Sequence, residues 1–442
     1  MSDDRNGAAF GRREVLGFGA GLAASALGGA AMAQARRPAT FNWTLHKPEE
    51  VGMSSAGLQQ VKATIQKHID NNNLTGAVTA IARRNKLVYY EAQGVRDVDS
   101  RAPMRKDDIF RMMSSTKPTV GVAAMMMMEE GKLSPDDKVS RFIPEFHDTK
   151  VAIAPEGFEA AMRDPARRAA LASQVKLVPA SRDITVRDLM THTSGLSSGG
   201  AGQLVNRVRR GPDDTLADYV PRLGAAALDF QPGTRWRYSA SDGIDVLLRI
   251  VEITSKTPAD VFLRERIHEP LDMRDTYFNV PPAKYGRILT LYGRPEGAWR
   301  PQRAAFGYGP VKYFSGAGGS MSTVHDYMQF EEMLLNKGEL NGKRLLKPSS
   351  VELMSTNHVG DLYGGTAGST KGTGFGYTVR VLQDPVAANS GRLPGAFGWG
   401  GAYGTASWTD PKDEMTAALF IQQPVGQVLI DYEHAIRKAV VA

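Results

Sequence analysis

Ser114 and Lys117 stand three residues apart in Phe110-Arg111-Met112-Met113-Ser114-Ser115-Thr116-Lys117-Pro118, directly before the apolar run Thr119–Met128. On a turn of helix, residues at that spacing share one face, one above the other. A hydroxyl is a weak nucleophile until something removes its proton, and an amine within reach can do so. The first helical turn also offers unpaired N–H groups and the positive end of the dipole to developing negative charge. Nucleophile, base and part of an oxyanion site therefore fit between Ser114 and Lys117. The motif alone is short, and it recurs at Ser173 and Lys176. An N-capping serine followed by a solvated lysine describes the same residues equally well. The rest of the chain must decide.

The elements around this segment alternate in type. Ser54–Asn72 is helix-periodic, with Leu58, Val61, Ile65 and Ile69 on one side. Ala77–Ala82 and Leu87–Gln93 read as strands joined by the polar turn Arg83–Lys86, an antiparallel hairpin. The helix after Ser114 carries four consecutive methionines, 125–128, and should end at Gly131. Apolar residues all round a helix predict a central, buried position, with the methionines serving as packing.

From Ser134 to about Val280 the pattern is helical with loops, and it includes the helix Val246–Thr254. Within it, Glu156–Val178 is a polar, Ala- and Arg-rich insertion, read as a surface helix or flap. Beyond residue 305, Phe375–Leu382, Ala402–Trp408 and Met415–Gln422 read as strands, and Val428–Val440 as a terminal helix. Strands at both ends and helices between them predict an α+β fold. One antiparallel sheet is built from both ends of the chain and flanked by helices, with a helical lobe inserted. The domain should run over 48–442, its α/β lobe over about 48–117 and 305–442 and its helical lobe over about 118–304.

Composition excludes several classes. The chain has 442 residues, 42% hydrophobic and 23% charged, which is an ordinary globular balance. Its net charge of +7 is dispersed, and the densest basic point, Arg207 with Arg209 and Arg210, is too short for a nucleic-acid-binding stripe. No cysteine is present, which removes disulfides, thiolate catalysis and zinc–thiolate sites. The eight histidines show no His-Glu-x-x-His or comparable spacing, so no metal or other cofactor is expected.

At the N-terminus, Arg12-Arg13 precede the Gly- and Ala-rich stretch Val15–Met32, and Ala31-Met32-Ala33 closes it as an A-x-A cleavage site. Residues 1–33 resemble a Tat-type signal peptide, followed by a linker over 34–47. The expectation is a periplasmic or secreted protein, exported folded and without a stable membrane anchor after cleavage.

Three segments then fall in order: Ser114-x-x-Lys117, Tyr238-Ser239-Ala240 and Trp399-Gly400-Gly401, with Thr191–Leu196 between the first two. Together they resemble the serine hydrolases of the class C β-lactamase and penicillin-binding-protein superfamily. The likeness is greatest to the family VIII carboxylesterases, over nearly all of the chain from Pro48. The resemblance implies that Ser114 is acylated, that Lys117 lowers its pKa or takes its proton, and that Tyr238 shuttles the proton to the leaving group and activates water. It also implies that the third segment lies on an edge strand lining the cleft, and that the N–H groups of Ser114 and Ala402 form the oxyanion hole.

Two departures bear on substrate. Ala240 stands where the β-lactamases usually have Asn, and Trp399-Gly400-Gly401 where they usually have Lys-Thr-Gly. In those enzymes the Lys and Thr grip a substrate carboxylate. An indole there favours an apolar acyl or alcohol group and points to short-to-medium acyl esters, small neutral molecules. β-Lactamase, D,D-peptidase, D-aminopeptidase and acyltransferase activities are the alternatives. A non-enzymatic, peptidoglycan-recognising cleft is another, although a binder needs none of Ser114, Lys117 and Tyr238.

The chain also contains Gly195-Leu196-Ser197-Ser198-Gly199, the Gly-x-Ser-x-Gly of a nucleophile elbow. An elbow needs a buried strand before it, and Ile184–Thr193 does not read as one. Ser197 is therefore expected in a loop, with His192 a structural hydrogen-bonder. The sequence leaves the oligomeric state open.

Overall fold

The structure, a computed structural model, describes residues 40–441 except 162–163, 206–207, 304–305, 365–369 and 424. The signal-like segment 1–33 lies outside the described residues.

Helix α1 (Ser55–Asp70) begins where Ser54 Oγ accepts the Gly57 N–H at 3.2 Å, and it buries Leu58, Val61 and Ile65. The hairpin forms as the two β-rich runs and their polar turn predict, β1 (Gly76–Arg83) pairing with β2 (Lys86–Gly94). Its two linking residues, Arg84 and Asn85, have φ of +51° and +59°. Positive φ at both positions gives the turn a twist that matches the strands.

Helix α2 (Lys117–Glu129) is buried from Lys117 through Met127, and Gly131 follows it at φ +70°. The methionines pack in the main core, as the all-round apolar pattern predicts. Helix α3 (Asp242–Ser255) lies against α2. Helix α4 (Val324–Leu335), which Thr323 caps, covers one face of the sheet. The C-terminal part then adds β3 (Thr373–Phe375), β4 (Arg380–Leu382), β5 (Phe397–Gly400), β6 (Ala406–Asp410) and β7 (Met415–Phe420). Helix α5 (Gly426–Ala439) closes the chain beside α1, on the sheet face that carries Trp408.

The sheet is seven-stranded, in the order β3-β4-β5-β6-β7-β1-β2, with every neighbour antiparallel. Val78 pairs with Phe420, so the first and last strands of the chain meet inside it. Among the described residues, no helix is long and apolar enough to cross a membrane.

Five sequence expectations change. Phe375–Leu382 is two strands, because Gly376 N donates to Val379 O at 2.8 Å and Thr378 takes φ +62°. That turn is set by tertiary packing: a Cβ on Gly121 of α2 would stand 2.1 Å from Thr378 Oγ1. Ala402–Trp408 becomes strand only from Ala406, since Gly401 N donates to Thr405 O at 2.7 Å and Gly404 N to Gly401 O at 2.9 Å. The strand bearing Trp399 is interior, between β4 and β6, not at an edge. Only Phe397 and Gly398 pair with β4, so Trp399 and Gly400 run on past it.

The insertion 156–178 is no single surface helix. Lys150–Ile153 and Lys176–Pro179 pair and enclose the short helices Phe158–Ala161 and Pro165–Leu171. Part of the expected linker is also packed onto the domain. Phe41 is buried, Trp43 stacks on His325 at 4.3 Å, and His46 N donates to Leu87 O at 2.8 Å.

Candidate active site

Ser114 lies in a tight turn, Met113–Thr116, that runs directly into α2 at Lys117. Met113 enters this turn at φ +48°. For a side chain of that size such a backbone costs about 1–3 kcal/mol and persists only where the surroundings fix it. The surroundings are in the loop between β5 and β6: Thr405 Oγ1 lies 3.1 Å from Met112 O and 2.9 Å from Ser115 Oγ. A Cβ on Gly401 would meet Met112 O at 2.2 Å. Glycine at 401 is thus what lets the end of β5 reach the nucleophile turn.

Lys117 is fully buried. Its Nζ donates to Ser114 Oγ at 3.2 Å, to Ala240 O at 3.0 Å and to Ala317 O at 2.6 Å. Among the described residues no carboxylate pairs with it, so three neutral acceptors fix the amine. Tyr238 Oη donates to Ser114 Oγ at 2.6 Å. The three residues are separated by up to 124 positions in sequence and converge on one oxygen atom.

Ala317 was not visible in the sequence as a site residue, and its placement has a clear cause. The Asp245 carboxylate on α3 accepts Tyr313 Oη at 2.7 Å, Ser315 Oγ at 3.0 Å and Ala317 N at 2.9 Å. These bonds tie the 313–317 loop to α3 behind Lys117. Burial outweighs the three donors and pushes the Asp245 carboxyl up to about 6.

Aromatic rings enclose Tyr238. His192 meets it at 4.8 Å and Trp399 at 5.5 Å between centroids, while Trp236 lies nearly parallel at 6.3 Å. Trp236, Trp399, Tyr363 and Phe375 form one small cluster. Trp236 and Tyr363 carry no sequence motif that would have marked them. Ser114 N and Ala402 N have no protein acceptor among the described residues, and Ala402 is exposed.

The rival elbow is not assembled. Val186–Thr191, before it, is helix rather than strand. Ser197 Oγ donates to Asp242 Oδ2, a carboxylate without an imidazole behind it. His192 is buried, and neither ring nitrogen has a hydrogen-bond partner among the described residues. The expectation of a structural hydrogen-bonder is therefore corrected: His192 packs by its ring. Burial, with Lys117 nearby, holds it well below the usual imidazole range, so it stays neutral. Among the described residues, no group of three or more His, Asp or Glu is placed to hold a metal ion.

Residues 61–440 match the sequence profile of the Beta-lactamase family. Protein Rv1367c of Mycobacterium tuberculosis is 35% identical over 380 residues, covering 82% of this chain and 89% of its own. Esterase EstB of Burkholderia gladioli is 29% identical over 390 residues, covering 82% and 90%. The solved structure of EstCE1, a hydrolase with promiscuous acyltransferase activity, superposes with a TM-score of 0.69 at 26% identity, covering 88% of this chain and 99% of its own. The fold, the profile match and these relatives agree with the resemblance that the three ordered segments carry, and the chain belongs to the β-lactamase family, as a serine-hydrolase-type enzyme similar to the family VIII esterases.

Proposed function

We propose that the protein hydrolyses carboxylic esters through an acyl-enzyme on Ser114. The observation that carries this is the position of Ser114 Oγ between Tyr238 Oη at 2.6 Å and Lys117 Nζ at 3.2 Å. Both distances lie within the reach a base needs to take a hydroxyl proton.

In acylation the Lys117–Tyr238 pair starts one proton short, as neutral Lys117 or as the Tyr238 phenolate. Ser114 Oγ adds to the ester carbonyl carbon while its proton passes to that group. The oxyanion is held by the free N–H groups of Ser114 and Ala402. As the carbon–alkoxide bond breaks, Tyr238 returns that proton to the departing alcohol. In deacylation, the pair takes a proton from water, which adds to the acyl carbon, and the proton returns to Ser114 Oγ.

The fixed acceptors Ala240 O and Ala317 O keep Nζ directed at Ser114 throughout. A second alcohol in place of water gives acyl transfer, and the promiscuous acyltransferase activity named for EstCE1 supports that second reading.

Substrate class rests on Trp399. An indole packed at 5.5 Å on Tyr238 occupies the place where a Lys and Thr pair would grip an anion. Charge-assisted hydrogen bonds of that kind contribute roughly 1.5–3 kcal/mol each. Their absence costs an anionic β-lactam about a hundredfold or more in binding, and costs a neutral ester nothing. The test is kcat/KM for p-nitrophenyl butyrate and for nitrocefin on one preparation. The ester should be favoured by orders of magnitude, and nitrocefin as the better substrate would remove the esterase assignment.

A further inference from the structure

Ala402 also lines a cavity of about 420 Å³, walled by Leu291, Tyr292, Trp299, Tyr403 and Gln423 among others; Tyr238 does not line it. Its outer wall is the small hairpin in which Tyr292 pairs with Pro301 and Gly293 with Arg300. That wall is fixed to the turn between α1 and β1. Arg294 Nη1 donates to Asn72 O at 2.6 Å, and Trp299 Nε1 donates to Asn72 Oδ1. Arg294, stacked on Trp299 at 5.6 Å, has its Nε on Gly297 O, so its guanidinium is engaged with backbone carbonyls.

The volume falls in the range of small-molecule sites, which are mostly apolar with a few placed polar groups. One such group is present. Gln423 is 3% exposed, and its Nε2 donates to Thr75 Oγ1 at 3.2 Å. Its Oε1 is buried and has no partner among the described residues. A buried acceptor left unpaired costs about 1–3 kcal/mol, so a hydrogen-bond donor brought there by a ligand is favoured.

The roles proposed above say which part of an ester would enter. The tetrahedral carbon has its oxyanion at Ser114 N and Ala402 N, and its leaving oxygen toward Tyr238. The acyl chain is the substituent that remains, and the cavity opens beside Ala402 and not beside Tyr238, which does not line it. We infer that this cavity is the acyl subsite, and that it takes an aryl-sized apolar acyl group carrying a hydroxyl that pairs with Gln423 Oε1. The inference rests on the esterase function proposed above and deepens it.

The test uses p-nitrophenyl acetate, 3-phenylpropanoate and 3-(4-hydroxyphenyl)propanoate, which share one alcohol. Burying the ring should raise kcat/KM about tenfold or more over acetate. The hydroxyl should add a further three- to tenfold, roughly the value of one net hydrogen bond. Trp299→Ala should shrink the ring advantage at least about fivefold. Gln423→Leu should remove the hydroxyl increment.

Aryl esters no better than acetate, or a ratio that Trp299→Ala leaves unmoved, overturn the subsite. A hydroxyl increment that is absent, or that survives in Gln423→Leu, overturns the role of Gln423. A preference that follows the alcohol instead, with 3-phenylpropyl acetate favoured, overturns the acyl assignment. Calorimetric binding of 3-(4-hydroxyphenyl)propanamide to Ser114→Ala protein reads the cavity without turnover. If the amide binds in a Trp299-dependent way while the unsubstituted enzyme cleaves no ester, the cavity stands and the esterase function fails.

Discussion

A methyl group on Gly401 would stand 2.2 Å from the carbonyl oxygen of Met112 and 2.4 Å from Thr405 Oγ1. The third segment therefore does more than line the cleft: its glycine sets how closely β5 approaches the nucleophile turn. Gly401→Ala should lower kcat/KM by about a hundredfold or more, since a displacement of 1 Å at a reacting group costs that much. Gly400→Ala, whose added Cβ would meet its nearest atom only at 3.1 Å, should cost far less. Steady-state kinetics on p-nitrophenyl butyrate with both variants decide it. Equal losses would show that close approach at Gly401 is not the constraint.

Lys117 and Tyr238 both touch Ser114 Oγ, so their effects should not add. Each single variant, Lys117→Ala or Tyr238→Phe, should lose on the order of 10³-fold in kcat, and the double variant little more. Lys117→Arg should not restore activity, because a guanidinium stays protonated and cannot take the serine proton. An active Lys117→Arg enzyme would mean that the residue serves only as a charge. Two independent losses that multiply would separate the two roles.

Away from the site, two buried acids give the fold a pH dependence. Glu331 accepts Ser407 Oγ at 2.6 Å and Thr409 Oγ1 at 2.8 Å, and Glu332 accepts Thr416 Oγ1 at 2.6 Å, all between α4 and the sheet. Burial pushes each carboxyl up to about 7. A folded pKa raised above the ordinary 4.5 means that the folded state binds the proton more tightly. The stabilisation is therefore complete below about pH 4.5 and is lost as pH rises through 7. Urea midpoints should fall across that window, on top of the opposing effects of ordinary surface acids. Glu331→Gln should flatten the fall and add on the order of 1–3 kcal/mol at pH 8, where the unsubstituted protein carries a buried charge. A midpoint for Glu331→Gln that is lower at pH 8 and unchanged in slope would contradict this.

How much of this was legible in the sequence follows from how local each signal is. The Ser54-capped helix, the Arg84-Asn85 hairpin and the buried methionine helix depend on neighbours in sequence, and their patterns give them away. Building one sheet from both ends also followed from pattern, since strands flanked a helical middle. The β3–β4 turn did not, because the alternation through Phe375–Leu382 is unbroken and only contact between Thr378 and Gly121 shows where it folds back. At the site, Ser114, Lys117, Tyr238 and the Trp399 segment were found by residue type and order. Ala317, Asp245, Trp236 and Tyr363 were not, since a backbone carbonyl, a carboxylate holding a loop and a ring in a cluster leave no motif. Ser197 is the reverse case. Its motif was complete, yet the helix before it and the carboxylate beside it deny it an elbow's geometry.

The central claim is that Ser114, and no other serine, carries the acyl group. The most direct measurement is peptide mapping by mass spectrometry after reaction with a fluorophosphonate, on the unsubstituted protein and on Ser114→Ala and Ser197→Ala. A single adduct on the peptide containing Ser114, lost in Ser114→Ala together with ester hydrolysis and retained in Ser197→Ala, is the predicted result. An adduct on the Ser197 peptide, or hydrolysis that survives in Ser114→Ala, would contradict it.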